Sequence, residues 1–345
     1  MSKRVLLTGG TGYIGSHTAV ELFAAGHDVV IADDLSNSSV TVLDRISEIS
    51  GRRPDFVKLD LRDLNGLKQV FRRFDIDAAI HFAARKSVGE SVEQPLLYYD
   101  VNVNSLLNLL VAMAEFKVDT LVFSSSCTVY GQPDVLPVSE STPFQPASSP
   151  YGNTKQICEH ILRDYSLTGV GLKAISLRYF NPVGAHESAL IGELPLGVPN
   201  NLVPFITQTA AGLRERLQVF GDDYDTADGT AIRDYIHVVD LARAHVSALQ
   251  RSLHHPNAAN YEYFNVGTGS GTSVMEVIKA FEAAAGVPLP YKIVGRRAGD
   301  IEQIYADTST ANAELDWRAE KTLADMLSSA WQWQQHIAAQ DGPVG

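Results

Sequence analysis

The stretch SPYGNTK sets Tyr151 and Lys155 four positions apart, behind Ser149 and Pro150. A phenol and an ammonium one helical turn from each other can work as a proton-transfer pair. Ser149 suits a helix cap and Pro150 a first helical turn, so the segment is predicted to open a helix with both side chains on one face. An unperturbed Tyr titrates near pH ~10, and a neighbouring cation is the direct way to make it a usable base. The same spacing also serves an ordinary amphipathic pair on a solvated helix, so the surroundings must decide.

Upstream, TGGTGYIG holds Gly9, Gly12 and Gly15 between an apolar run, Arg4 to Thr8, and a stretch with helical spacing at Ile14, Thr18, Leu22 and Ala25 that Gly26 closes. Glycine there allows a tight turn, close approach of a diphosphate and close helix–strand packing, while the helix N-terminus offers free N–H groups. Asp33 ends the next apolar run, 18 residues past Gly15, where a carboxylate can take both hydroxyls of an adenosine ribose. Asp34 follows directly and no Arg is adjacent, so a 2′-phosphate would meet two negative charges. NAD is therefore expected rather than NADP. Asp60, at the end of KLD, is placed either to reach the adenine edge or to cap the following helix.

These residues need a frame. RVLLT, DVVIAD, DFVKLD, AAIHFAA and TLVFSSS read as strands apolar on nearly every residue, with helical segments such as NSLLNLLVAMAEF between them. That pattern is what a parallel sheet covered on both faces requires, and it predicts an α/β, doubly wound (Rossmann) fold. Ligands of such sheets lie outside the carboxyl ends of the strands, which puts Ser126 at the site as a hydrogen-bond partner for a reacting substrate oxygen. Ser124 and Ser125 could equally satisfy backbone groups. Beyond about Arg178 the connections lengthen and carry more Pro, Gly and Asn, before RDYIHVVDLARAHVSAL and YFNVGTG resume strand and helix patterns. An NAD-binding domain over 1–180 is expected, then a smaller, interleaved α/β substrate domain over 181–345, with parts of about 233–267 returning to the first. The last residues, AAQDGPVG, read as a loose tail.

Bulk numbers exclude other classes. The 28 basic and 40 acidic residues give a net charge of −12 with no Lys/Arg block, which argues against nucleic acid or an anionic membrane as partner. Cys127 and Cys158 are spaced neither as a metal clamp nor as a redox pair, so free thiols in a reducing compartment are expected, and no metal. With no apolar run near 18 residues and no signal-like N-terminus, a soluble cytoplasmic protein is expected.

Taken together, TGGTGYIGSHT, VGESV, SSSCTVYG, SPYGNTK, LRYFNPVGAH, PNNLVP, DGTAIRDYIHVVDLA and RRAGD resemble the extended short-chain dehydrogenase/reductase family, and within it the UDP-glucose (UDP-galactose) 4-epimerases. The resemblance implies that Tyr151, Lys155 and Ser126 carry catalysis. A 4-keto sugar would turn over while UDP stays anchored and NAD stays bound, with no net redox change. It adds Tyr13, Ile14, Leu35, Asn37, Ser38, Leu61, Phe82, Ala83, Ala84, Ser124 and Phe180 to the NAD pocket, with Lys86 touching cofactor and substrate. Phe82, Ala83 and Phe180 could also be plain core residues, and His81 and His237 read as hydrogen-bonded core histidines. Asn181, Asn200, Asn201 and Leu202 would hold the nucleotide end, with Val219 and Phe220 beside the uracil. Arg233 and Arg297 would neutralise the diphosphate and Asp300 would take the ribose, although each alone could be an ordinary ion pair. A homodimer through helices of the NAD-binding domain is implied as well.

The chain departs from the family pattern at Ala84, where relatives often carry Gly, and at Val101, where some carry Asn. At Ile304 the family places a bulky Tyr or a small Cys, associated with excluding or admitting N-acetylated hexoses. Ile is intermediate, which implies preference for UDP-glucose and UDP-galactose with partial tolerance of N-acetyl forms.

Overall fold

Val5, Leu6 and Leu7 of the first strand, β1 (Arg4–Thr8), are fully buried in the computed structural model, which describes residues 2–255, 259–297 and 300–341. A strand buried on both faces needs helices above and below it, and the chain supplies them in alternation. After β1 come α1 (Tyr13–Ala24), β2 (Asp28–Asp33), α2 (Thr41–Ser50), β3 (Asp55–Lys58), α3 (Leu64–Arg73) and β4 (Ala78–His81). Then follow α4 (Val88–Glu93), α5 (Pro95–Phe116), β5 (Thr120–Ser126), α6 (Pro150–Ser166) and β6 (Lys173–Tyr179). The later part holds β7 (Asn181–Val183), α7 (Leu202–Ala210), β8 (Leu217–Phe220), β9 (Ile232–His237), α8 (Val238–His254) and β10 (Tyr261–Val266). It ends with β11 (Gly271–Ser273), α9 (Val274–Ala285), β12 (Tyr291–Val294), β13 (Gln303–Ile304), α10 (Ser309–Glu314) and α11 (Leu323–Asp341).

Seven strands form one parallel sheet in the order β10-β6-β5-β4-β1-β2-β3. The direction of winding reverses between β1 and β4, so a crevice opens beyond their carboxyl ends. One face of the sheet packs on α1, α2 and α8 through residues such as Leu22, Ile46 and Leu241. The other packs on α3, α5 and α6 through Leu67, Leu109 and Leu162. Each fully buried Leu of this kind is worth about 1.5–3 kcal/mol relative to exposure, so the sheet end is a rigid platform. Helix α5 is long and apolar enough to span a membrane, yet Leu106, Leu109, Leu110 and Met113 are spent on this core.

A third core, with Val203, Val219, Phe281 and Leu327, gathers α7, β8, α9 and α11. β12 pairs with β8, while β7, β11 and β13 pair with β9. The predicted strands at β1, β2 and β5 keep their bounds. DFVKLD yields only Asp55–Lys58, and AAIHFAA stops at His81, leaving Phe82 to Ala84 as a loop over the crevice. The loose tail is corrected in part: α11 runs through Ala338 and Ala339 to Asp341, and the residues after it lie outside those described. So do residues 298–299, the middle of the RRAGD motif.

Candidate active site

Helix α6 begins as its sequence predicts. Ser149 Oγ accepts the Gly152 N–H at 3.2 Å and Pro150 takes the first position, so Tyr151 and Lys155 share the face that looks at β5. Lys155 Nζ donates to the Ser124 carbonyl at 2.6 Å, and its ammonium lies 4.9 Å from the Phe123 ring centroid and 5.9 Å from that of Tyr151. Ser126 caps the short turn Cys127–Tyr130 by accepting the Thr128 N–H at 3.2 Å, and its hydroxyl lies beside the Tyr151 phenol, where it acts to lower that phenol's pKa. The Ser, Tyr and Lys singled out from sequence therefore meet at the end of β5.

Their protonation differs from the simple expectation. Burial pushes the Tyr151 phenol up to about 12, and the Ser126 hydroxyl only partly offsets it. Burial also brings Lys155 down to about 8, against a raising influence from Cys158 and Glu159. The Lys155 charge does not make Tyr151 acidic here, because desolvating a phenolate outweighs a cation that is itself desolvated. His81 and His237 are hydrogen-bonded, buried and neutral at pH 7. His81 Nδ1 meets Thr8 Oγ1 at 2.7 Å, and His237 Nδ1 accepts the Val239 N–H at 3.1 Å.

At the switch point, Gly9 has φ +70°, and a Cβ there would sit 2.7 Å from the Ala83 backbone nitrogen. A Cβ on Gly15 would come within 2.5 Å of the Gly9 carbonyl oxygen. Gly12 is the N-cap of α1 without a side-chain cap, leaving the helix terminus open to an anion. Asp33 accepts from Thr11 N at 3.2 Å, Leu35 N at 2.9 Å and Ser38 Oγ at 3.2 Å. Ser38 can turn to Thr11 Oγ1 instead, 2.7 Å away, which frees carboxylate lone pairs for a ribose diol. The cradle thus fits a dinucleotide. Asp34 and Asn37 are exposed beside it, and Leu35 takes φ +63° to make the turn.

Other assignments divide between side chain and backbone. Tyr13 points its hydroxyl away from the loop, to the Gly184 carbonyl at 2.6 Å, and Ile14 packs into the core. Phe82 lies against His245 with ring centroids 4.7 Å apart and the rings tilted by 51°, Leu61 and Phe180 are buried, and the Ser124 hydroxyl pairs with Tyr179. Ala83 and Ala84 are half-buried in the loop facing Gly9. Asp60 does not cap α3. Asp63 does so, accepting Gly66 N at 3.0 Å, while Asp60 pairs with Arg62 at 2.6 Å and is held below the usual carboxylate range by it. Asn102 is spent on the Arg85 backbone and Thr154, so it offers nothing in place of Val101.

Across the crevice, Arg297 Nη2 bonds Asp300 at 2.7 Å, Arg233 Nη2 lies 3.9 Å from the same oxygen, and the Arg297 guanidinium sits 5.6 Å from the Phe220 ring centroid. Two cations on one carboxylate leave a net positive site. Val219 is corrected: its side chain is buried in the third core, so only its backbone can face a ligand. Asn181 is half-buried in β7, and Leu202 opens α7 against that core. Glu193, missed from sequence, ties the crevice together. It takes Lys86 Nζ at 3.1 Å and Asn201 Nδ2 at 2.7 Å, while Asn200 reaches Ser87 at 3.4 Å. Its one signal was an acid within the apolar ALIGELPLG.

The GDP-mannose 4,6 dehydratase family profile matches residues 6–330. A UDP-glucose 4-epimerase of Neisseria meningitidis serogroup B is 49% identical over 331 residues, 96% of this chain and 97% of its own. The chain belongs to the UDP-glucose 4-epimerase family. A solved epimerase from Stenotrophomonas maltophila, with NAD and a formylated UDP-arabinopyranose, superposes with TM-score 0.95 at 50% identity, covering 99% of this chain and all of that one. The epimerase of Bifidobacterium longum, with NAD+ and UDP, gives 0.93 at 48% identity, over 96% of this chain and 98% of that one. The resemblance read from the motifs and the doubly wound fold both stand.

Proposed function

We propose that the protein interconverts UDP-galactose and UDP-glucose by inverting C4 through a 4-keto sugar, with NAD as resident cofactor. The observation that carries this is the meeting of Ser126, Tyr151 and Lys155 at the end of β5, at the crevice that the Gly9–Gly15 loop borders.

NAD, when bound, would supply the acceptor and donor of the C4 hydrogen and a positive charge. Tyr151 would take the proton of the C4 hydroxyl and, once the turned sugar is reduced from its opposite face, return that proton to the C4 oxygen. Ser126 hydrogen-bonds the same oxygen. Lys155, fixed by Ser124, balances charge on the phenol. Gly9, Gly12, Tyr13, Ile14 and Gly15 form the diphosphate turn, and Asp33, Asp34, Leu35, Asn37 and Ser38 the ribose edge. Asp60 and Leu61 border the adenine. Phe82, Ala83, Ala84, Lys86, Ser124 and Phe180 close the nicotinamide half.

A sugar that must swing cannot be gripped, so anchoring falls to UDP. Arg233 and Arg297 hold the diphosphate. Asp300 leaves them for the ribose, and Asn181, Asn200, Asn201, Leu202, Phe220 and the Val219 backbone hold the rest. The chain divides at about residue 180, with α8 and β10 returning to the NAD-binding part, while β9, in the stretch expected to return, pairs with β7, β11 and β13 instead. A homodimer through α5 is supported by its exposed Leu96, Leu107 and Val111, and a cytoplasmic setting by two buried, free thiols. Ile304, buried against Cys127, Tyr130 and Phe180, supports preference for unmodified hexoses with partial tolerance of N-acetyl forms. Turnover of UDP-N-acetylglucosamine equal to that of UDP-glucose contradicts that preference.

Dehydration is the rival reaction, as the family profile's name suggests. It needs an added acid and base beyond the end of β5, where this chain has Cys127, pushed up to about 12 by burial, and Thr128. Incubation with UDP-galactose without added NAD tests the reading. UDP-glucose is expected; a stable keto sugar or no product contradicts it.

A further inference from the structure

One turn beyond Lys155, α6 carries a buried polar cluster that the reaction above does not use. Glu159 is 2% exposed, and its carboxylate draws together three strands. From β6 it accepts Arg178 Nη2 at 2.6 Å and Nε at 3.0 Å, from β10 the Tyr261 hydroxyl at 3.1 Å, and from β5 the Ser125 hydroxyl. Arg178 continues to the Tyr130 hydroxyl at 3.1 Å, which donates to Asn265 at 2.6 Å. Burying an ion pair is costly, and apolar packing alone could hold α6 on the sheet. The placement of Ser125 suggests what the pair is for. Its neighbour Ser124 receives Lys155, and its other neighbour, Ser126, lies beside Tyr151.

Building on the proposed epimerisation, we infer that Glu159 is a positioning residue. Through Ser125 and Arg178 it fixes α6 against the end of β5, and its negative charge one turn from Lys155 favours the ammonium. Facing Lys155 are Tyr151, Cys158 and Glu159 from α6 and neutral His81 from β4. Facing Glu159 are Arg178, Tyr130 and Tyr261. Glu159→Gln removes an anion that raises Lys155 and leaves Arg178 an unpaired cation. Both changes favour loss of the Lys155 proton at lower pH.

The experiment measures kcat and KM for UDP-galactose against pH in the holoenzyme, with NAD content and thermal unfolding alongside. For Glu159→Gln we expect kcat to fall by about tenfold or more with KM nearly unchanged and NAD retained. The alkaline limb of kcat should move down by about one pH unit, while Glu159→Asp, which keeps the charge, leaves that limb in place. A lowered melting temperature with kcat and limb unmoved overturns the inference. If Glu159→Gln does not fold, Ser125→Ala, which keeps the ion pair, should lower kcat about three- to tenfold at constant KM, and wild-type kcat there overturns it. A wild-type enzyme inactive on UDP-galactose overturns the epimerisation itself. Wild-type activity with indifferent variants overturns only the role of Glu159.

Discussion

The Lys155 ammonium lies 5.9 Å from the centre of the Tyr151 ring, yet burial pushes the phenol up to about 12 and brings the ammonium down to about 8. The protein's own groups thus favour a protonated phenol at neutral pH, and the pair is poised for one compensating charge. An isolated Tyr–Lys pair on a solvated helix would show neither displacement. Desolvation is the larger cause of both displacements.

Tyr151→Phe removes the proposed proton carrier without disturbing the helix cap at Ser149. Turnover should fall by a factor on the order of 10² or more, with folding and bound NAD retained. Steady-state rates together with the NAD content of the purified variant check this, and a near-normal rate removes Tyr151 from its role.

Lys155 should leave a signature in stability. Its folded value, about 8, lies below its ordinary 10.5. Between those pH values the unfolded chain holds the proton that the native state has lost, so this residue makes stability rise with pH. Below about 8 both states hold the proton, and the native one carries the full cost of the buried charge. Relative to Lys155→Met, the wild type should gain up to about 3 kcal/mol between pH 8 and 10.5. Urea unfolding of both proteins across that range measures it, and parallel curves contradict the burial argument. The comparison is needed because Cys127 and Cys158, both raised to about 12, act in the opposite direction at high pH.

Gly15→Ala places a methyl 2.5 Å from the Gly9 carbonyl oxygen and 2.7 Å from Gly10 Cα, both backbone atoms that cannot rotate away. The loop must open, and the purified variant should contain well under half the NAD of wild type. Absorbance and chromatography of the released nucleotide report it. Full occupancy contradicts the cradle.

Arg297→Ala removes one of the two cations around Asp300 and the partner of the Phe220 ring. Loss of one charge-assisted contact is worth about 1.5–3 kcal/mol, so KM for UDP-galactose should rise about 10- to 100-fold with kcat much less affected. An unchanged KM removes Arg297 from the diphosphate site.

Much of this was legible because chemistry and periodicity coincide locally. The Tyr151–Lys155 spacing, the Ser149–Pro150 start and the Gly9–Gly15 loop each lie within a few residues, and β1, β2 and β5 announce themselves by burial on both faces. What stayed hidden depends on partners far along the chain. Glu193 meets Lys86, 107 positions away, and Glu159 is explained only by Arg178 and Tyr261 on other strands. Strands of two or three residues, such as β7, β11 and β13, bury too little to leave a pattern and exist because β9 pairs with them. Side-chain direction was also invisible. Tyr13 and Val219 sit where the motifs put them, but their side chains face Gly184 and the third core.

The most direct test follows the C4 hydrogen itself. UDP-galactose deuterated at C4 is converted in ordinary water, without added NAD, and the UDP-glucose formed is examined by mass spectrometry and NMR. Deuterium retained at C4, now on the opposite face, is the predicted result. Deuterium lost to water contradicts it.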